Sequence, residues 1–149
     1  MPATFSIAAG FANAGTKYIN FSEPVTVTMT GDVILSIGGT DYYSGDTIPV
    51  ATGSYHTLTI NNPGAEAGTI TFGKRKQITY LRLYNIGSSV ITGDITGMKL
   101  TYLLLSGIGS SDITGKITGM TLTILYLVNH GSSLTYGTTL LKLTDRYCC

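Results

Sequence analysis

Residues 78–99 and 100–121 are two nearly identical copies of one 22-residue segment. The first copy reads ITYLRLYNIGSSVITGDITGMK and the second reads LTYLLLSGIGSSDITGKITGMT. A third and looser copy, LTILYLVNHGSSLTYGTTLL, begins at Leu122. Repeats with a period of roughly 20–50 residues predict coils that stack on one another, each covering the apolar faces of its neighbours. Stacked coils make long regular surfaces that suit binding and have no built-in catalytic pocket.

Like residues recur at equal positions of the copies and predict ladders that run through the stack. The apolar ladders are Ile86 with Ile108, Ile91 with Ile113, Ile95 with Ile117, and Met98 with Met120. Small residues recur as Gly87-Ser88-Ser89, Gly109-Ser110-Ser111 and Gly131-Ser132-Ser133, and as Gly93, Gly115 and Gly137. A glycine kept at each coil indicates a positive φ angle or a close approach of another chain segment.

Each copy opens with the same Leu-x-x-Leu-x-Leu pattern, carried by Ile78, Leu81 and Leu83, by Leu100, Leu103 and Leu105, and by Leu122, Leu125 and Leu127. This pattern resembles the strand of leucine-rich repeat proteins, and the resemblance covers about residues 55–147. The family's usual Asn or Cys after the strand is missing, because Ile86, Ile108 and His130 stand there. We therefore expect the serine corner to bond the loop backbone instead. The Gly- and Thr-rich return segment predicts an extended back rather than a helix.

The chain before the repeats alternates apolar and polar residues with a period of two. Short apolar pairs and triplets such as Phe5 and Ile7, or Val25, Val27 and Met29, are separated by turn signals such as Thr30-Gly31-Asp32. Strands of about five residues with turns this frequent predict an antiparallel sandwich. A sandwich followed by Thr-Gly-Asp-Ile repeats also resembles surface proteins of gut Bacteroidetes and virion proteins of their phages, in which a degenerate PKD-like β-domain precedes short leucine-rich repeats.

The predicted fold is therefore all-β, with an N-terminal antiparallel β-sandwich joined to a short leucine-rich-repeat-type β-solenoid of 22-residue coils. The expected division is a sandwich at residues 1–54 and a solenoid at residues 55–149. Within the solenoid we expect a capping repeat at 55–77, repeats at 78–99, 100–121 and 122–142, and a partial repeat at 143–149. Leu58 and Ile60 stand in the capping repeat where Leu81 and Leu83 stand 23 residues later.

Charged residues make up 11 % of the chain, less than half of the usual ~25 %. Up to Gly73 there are five acids and one base, and from Lys74 onward there are eight bases and three acids. Such opposed halves suit head-to-tail contact or docking on an acidic partner, although uneven charge division also occurs by chance. The first residues lack a basic segment followed by a long apolar run, so no signal peptide is expected, and no membrane span is expected either.

Nothing in the sequence indicates catalysis, a metal or a cofactor. His56 and His130 lie in unrelated segments without a nucleophile motif, and His56 is expected to be structural. Asp32, Asp41 and Asp46 lie in neighbouring turns, and turn formation explains them better than calcium, which needs six to eight oxygens. Cys148 and Cys149 are adjacent and form no metal spacing. A frayed tail without a role explains them better than a vicinal or intermolecular disulfide, which stays open.

The candidate interaction surface consists of strand tyrosines and a basic cluster. Tyr80 and Tyr102 are equivalent in the repeat and are expected to stack on the outer face, near Thr79 and Thr101. Tyr84 lies on or beside a repeat strand, and Arg82 lies beyond the basic cluster. Such a ladder suits carbohydrate or protein contact, but tyrosine is also simply favourable in strands. Lys74, Arg75 and Lys76 form the densest charge cluster, which could contact an acidic surface or could be solvated loop charge; no specific nucleic-acid binding is expected.

These features together predict a non-enzymatic structural and interaction protein. The setting that we expect is a phage virion, where the chain would decorate a capsid or form part of a head or tail fibre, bound to itself and to other virion proteins. The alternative is a cell-surface or secreted bacterial adhesion module that binds a host glycan or a protein.

Overall fold

The structure is a computed structural model that describes residues 1–87, 90–109, 111–117, 120–128, 134–135 and 145–148. It is all-β, and the described part contains no helix beyond one 3₁₀ turn at Arg75–Gln77. The strands are β1 (Ala3–Ile7), β2 (Thr16–Phe21), β3 (Val25–Thr30), β4 (Ile34–Ile37), β5 (Thr40–Tyr42), β6 (Thr47–Ile48), β7 (His56–Asn61), β8 (Gly68–Phe72), β9 (Ile78–Tyr84), β10 (Ile91–Asp94), β11 (Tyr102–Ser106), β12 (Asp112–Lys116), β13 (Ile124–Val128), β14 (Leu134–Thr135) and β15 (Asp145–Cys148).

The strands form two sheets, as a β-sandwich requires. The first sheet has the order β14-β12-β10-β1-β8-β3-β6, and the second has the order β15-β13-β11-β9-β2-β7-β4-β5. Strands alternate inward and outward, so that β2 buries Lys17, Ile19 and Phe21 while its other side chains are half-exposed. The inward side chains of both sheets form one hydrophobic cluster that runs from Ala3 to Leu127. The all-β sandwich prediction is thereby confirmed.

The repeat strands pair in parallel and in register with the repeat. Tyr80, Leu81 and Leu83 of β9 lie opposite Tyr102, Leu103 and Leu105 of β11, an offset of 22 residues. The next pairing, β11 with β13, keeps the same offset, and β13 with β15 has an offset of 21. The four apolar ladders expected from the sequence are buried at every member, from Ile86 and Ile108 to Met98 and Met120. The Gly- and Thr-rich segments after the corners form the paired strands β10 and β12 and no helix, as expected.

Small residues hold the corners of the repeat as expected. Gly87 and Gly109 have φ angles of 66° and 59°, in the left-handed region that favours glycine. Ser111 is buried, and its hydroxyl accepts a hydrogen bond from the backbone N–H of Ile91 at 2.9 Å, which is the loop-bonding role expected of the serine corner. The third copy of this corner (Gly131, Ser132 and Ser133), together with Gly137 and His130, lies outside the described residues.

The segment at 55–77 follows the same course as the repeats, with β7 in the second sheet and β8 in the first. It does not lie directly against the repeat at 78–99, because β2 lies between β7 and β9, and β1 lies between β8 and β10. Both β1 and β2 are antiparallel to their neighbours, so the N-terminal strands cover the first repeat. The division between 54 and 55 stays a prediction.

Lys17 is a cation that lies inside the sandwich. Lys17 of β2 is opposite Leu83, points inward and is 1 % exposed. Its Nζ donates a hydrogen bond to the carbonyl oxygen of Ala14 at 2.6 Å. Because burial disfavours the ammonium form, it lowers the pKa of Lys17 to about 8.

Candidate interaction surface

The outer face of the second sheet carries a row of stacked aromatic rings. The ring centroids of Tyr80 and Tyr102 are 4.1 Å apart, and the ring planes differ by 7°. Tyr55 lies 5.3 Å from Tyr80, and Tyr18 lies 4.1 Å from Tyr55. We call this area, with the adjoining Arg82 and Tyr84, the tyrosine face. The stacking of Tyr80 on Tyr102 that the repeat predicts is confirmed.

Four separate parts of the chain place these rings. Tyr80 and Tyr102 come from adjacent parallel strands in register, whereas Tyr18 comes from the antiparallel strand β2. Tyr55 precedes β7 and is placed by Asn20, whose amide accepts a hydrogen bond from Ala51 N at 2.9 Å and donates one to Ser54 O at 3.3 Å. The face is therefore preorganised by backbone pairing and by one polar side chain.

Arg82 lies between two of the tyrosines. Its guanidinium carbon is 5.2 Å from the centroid of the Tyr18 ring and 5.3 Å from that of the Tyr84 ring, within the range of cation–π attraction. On the adjacent strand β11, Leu104 lies directly opposite Arg82 and is 8 % exposed. The Nε atom of Arg82 is buried and has no hydrogen-bond partner among the described residues. The side chain is thus held in place while part of its hydrogen-bonding capacity is unused.

The surroundings of Tyr80 favour the neutral form of its hydroxyl group. Burial, assisted by the adjacent Tyr102 hydroxyl, raises the pKa of Tyr80, while the nearby charge of Arg82 acts in the opposite direction. Because Tyr80 and Tyr102 cover each other's ring faces, the stack offers solvent ring edges and hydroxyls. Such a surface can pack against another protein and exchange hydrogen bonds with it.

The basic cluster at Lys74–Lys76 makes different contacts. Arg75 donates through Nη1 to the carbonyl oxygens of Asp94 and of Thr96 (2.9 Å for the latter), and through Nε to that of Pro2 at 3.2 Å. These bonds use the guanidinium to join the first residues of the chain to the turn after β10. Lys74 and Lys76 are exposed, and Lys76 lines an open groove of about 510 Å³ with Arg75 and Asp94.

The structure therefore unites four of the seven predicted surface residues, Tyr80, Arg82, Tyr84 and Tyr102, and leaves Lys74, Arg75 and Lys76 apart from them. It adds Tyr18 and Tyr55, which the repeat could not reveal because neither belongs to an equivalent position. The signal for Tyr18 was its place beside the inward Ile19 in an alternating strand, which puts Tyr18 on the outward side.

The remaining polar candidates have structural contacts. The Nε2 atom of His56 is 2.7 Å from the carbonyl oxygen of Pro49, as suits a structural histidine. Asp46 accepts a hydrogen bond from the backbone N–H of Tyr43 at 2.8 Å and so stabilises its turn, as predicted. Within the described ranges, no three His, Cys, Asp or Glu residues are grouped as metal ligands, and no helix is long and apolar enough to cross a membrane. The side chains of Cys148 and Cys149 lie outside the described residues.

Comparison with known proteins does not place the chain in a family. It matches no protein-family model, and no curated protein and no solved structure is significantly similar to it. The leucine-rich and PKD-like resemblances stay predictions from the sequence pattern.

Proposed function

We propose that this chain is a non-enzymatic structural and interaction protein that makes its contacts through the tyrosine face. The observation that carries the proposal is the stack of Tyr18, Tyr55, Tyr80 and Tyr102 beside a held Arg82. Protein interfaces are enriched in tyrosine and arginine and depleted of lysine, glutamate and aspartate at their centres. A neutral, rigid aromatic surface beside one arginine has this composition.

The proposal treats the repeats as a short leucine-rich-type β-solenoid. It is supported by the parallel pairing of β9, β11 and β13 in one sheet and of β10, β12 and β14 in the other. Each coil would then add one strand to each sheet and extend the outer face by roughly 4.8 Å. The N-terminal strands β1 and β2 would serve as the cap of the first coil.

The setting that we propose is a virion, in which the chain decorates a capsid or contributes to a head or tail fibre. The low content of charged residues supports assembly, because little charge repulsion opposes the approach of copies. The exposed Lys74 and Lys76 belong to the basic half and are free to face an acidic neighbour. The expected partners are other copies of the chain and other virion proteins.

A bacterial adhesion module that binds a glycan or a protein is the second candidate. It is favoured by the ring of Tyr55, which is 41 % exposed and could stack on a sugar. The mutual covering of Tyr80 and Tyr102 favours a protein partner instead, since a sugar needs an uncovered ring face. A glycan array distinguishes the candidates: specific binding that Tyr55→Ala abolishes and Tyr43→Ala preserves would favour the adhesion module.

Two measurements test the virion proposal. Light scattering coupled to size-exclusion chromatography should show self-association that Tyr55→Ala weakens and that Thr28→Ala, a change at an exposed residue of the first sheet, leaves unchanged. Mass spectrometry of purified phage particles should detect the chain as a component. A chain that is strictly monomeric and absent from particles would refute the proposal.

A further inference from the structure

The outer face of the second sheet carries few charges. Among the described strands whose side chains alternate regularly between the two faces, only two outward side chains are charged. In the strands β2, β4, β5, β7, β9 and β11, the outward side chains are uncharged apart from Arg82 on β9 and Asp41 on β5. Asp41 lies opposite Ser36, whose neighbours Leu35 and Ile37 are buried, so Asp41 shares the outward side with Ser36. The two charges have opposite signs and lie on one surface.

The distance between these charges follows from the strand order. Four strand steps separate β9 from β5, by way of β2, β7 and β4. At roughly 4.8 Å per step, Arg82 and Asp41 are roughly 20 Å apart across the sheet. Within one chain this separation is too long for an ion pair. The strand halfway between them is β7, whose outward residues Thr57 and Thr59 are uncharged.

We propose that two copies of this chain pair through the outer faces of their second sheets about a two-fold axis that runs along β7. Such an axis, lying in the contact plane, places Arg82 of each copy opposite Asp41 of the other, so that both charges are paired at once. A two-fold contact is self-complementary, because each patch meets its counterpart twice. The inference rests on the proposed function, since it names the partner and the geometry of the tyrosine face.

The residues near the axis support this arrangement. Tyr18 lies opposite Thr57 on the neighbouring strand, so the adjoining rings of Tyr18 and Tyr55 fall close to the centre. Ile34 also points outward on this face and is 54 % exposed, and Tyr55 is 41 % exposed, so two of the large apolar side chains left uncovered lie here. Exposed aromatic and aliphatic groups at the centre of a patch, with charges beside them, are typical of interface hot spots.

Arg82 is prepared to receive a carboxylate. The rings of Tyr18 and Tyr84 hold the guanidinium, and Arg82 is half-exposed on the outer face. A guanidinium presents paired N–H donors that match a carboxylate, and a side chain already held in place loses little freedom on binding. Asp41 lies exposed on the edge strand β5 and is free to supply that carboxylate.

The available area fits a weak dimer. About an axis along β7, the five strands β9, β2, β7, β4 and β5 of the two copies overlap. Five strands of about five residues give a flat area of roughly 400 Å², compared with ~800 Å² per partner in a standard interface. We therefore expect a dimer that dissociates on dilution and at high salt, because ionic strength screens the two ion pairs.

Charge reversal tests the proposal. Arg82→Glu and Asp41→Arg should each weaken dimerisation about tenfold or more in light scattering and sedimentation, because like charges then face each other twice. The matched controls Lys76→Glu and Asp32→Arg make the same charge changes outside the face and should leave the dimer intact. Circular dichroism checks that each variant folds.

Mixing the two variants gives the sharper result. In a dimer of one Arg82→Glu chain and one Asp41→Arg chain, both facing pairs have opposite charges, so the mixture should dimerise while each variant alone does not. If Arg82→Glu does not fold, Asp41→Arg alone must still weaken the dimer. The proposal is overturned if the wild type is monomeric at about 0.5 mM, if the variants dimerise like the wild type, or if the mixture stays monomeric. The content of phage particles tests the proposed function separately.

Discussion

Replacing Lys17 with Met should remove a pH dependence of stability that the wild-type chain has. Lys17 is 1 % exposed, and burial lowers its pKa from 10.5 to about 8. The unfolded chain therefore binds the proton more tightly than the folded chain does. Because stability rises with pH wherever the unfolded state binds more protons, the wild type should gain stability between about pH 8 and pH 10.5. Below about pH 8 the full cost of the buried ammonium group is present.

The size of the effect follows from the pKa difference. Each pKa unit corresponds to about 1.4 kcal/mol, which sets a ceiling of about 3 kcal/mol for the cost of the charge. Partial solvation and screening of the ammonium reduce this, and we expect a gain of about 1–2 kcal/mol between pH 7 and pH 9.5. At pH 7, Lys17→Met also leaves the carbonyl of Ala14 without its hydrogen bond, which offsets about 1 kcal/mol of the improvement.

Urea unfolding at several values between pH 7 and pH 9.5, under reducing conditions, measures the free energy of unfolding of both chains. The wild type should become more stable across this range relative to Lys17→Met. The exposed Lys76 provides the matched control, because Lys76→Met should keep the wild-type pH dependence. If the free energy of unfolding changed with pH in the same way for the wild type and for Lys17→Met, the assignment of a buried, destabilising ammonium group at this position would be refuted.

Two further changes test the repeat. Gly107 has a φ of 61°, and a Cβ there would lie 2.5 Å from Oδ1 of Asn85, so Gly107→Ala should lower the free energy of unfolding by about 1–3 kcal/mol. At Gly53 a Cβ would meet nothing within 4 Å, so Gly53→Ala should change the free energy of unfolding by less than about 0.5 kcal/mol. If the two substitutions had equal effects, the left-handed backbone conformation of Gly107 would be contradicted. A double-mutant cycle of Tyr80→Ala and Tyr102→Ala should give a coupling energy of about 0.5–1.5 kcal/mol, whereas the Tyr80 and Tyr43 pair should give none. A zero value for the first pair would mean that the stack contributes nothing.

The repeat predicted the parts of the fold that depend on equivalent positions. The parallel register of Leu81 with Leu103, the burial of Ile91 and Ile113, and the stacking of Tyr80 on Tyr102 all follow from the 22-residue spacing. Each of these features links a residue to the residue 22 positions later, which lies on the adjacent strand of the same sheet. The serine corner was also predictable, because a loop that lacks the usual Asn needs another hydrogen-bonding group.

What the sequence could not predict comes from antiparallel strands that lie far from their partners in the chain. The spacing gave no sign that β1 and β2 insert between the segment at 55–77 and the first repeat. That insertion is what brings Tyr18 beside Arg82 and turns Lys17 toward the core. The prediction that Asp41 forms a turn is wrong, because Asp41 lies in strand β5. Its position on the same outward face as Arg82 depends on the order of five strands, which the sequence pattern does not give.

Distances between spin labels on two copies test the central claim, that the outer face of the second sheet is the contact face. Thr57 is exposed on β7, next to the proposed axis, and Thr28 is exposed on the outer face of the first sheet. With Cys148 and Cys149 replaced by serine, a label at Thr57→Cys should lie within about 20 Å of its mate, whereas labels at Thr28→Cys should be separated by roughly 30 Å or more, the thickness of two sandwiches. A short distance at Thr28 with none at Thr57 would contradict the account.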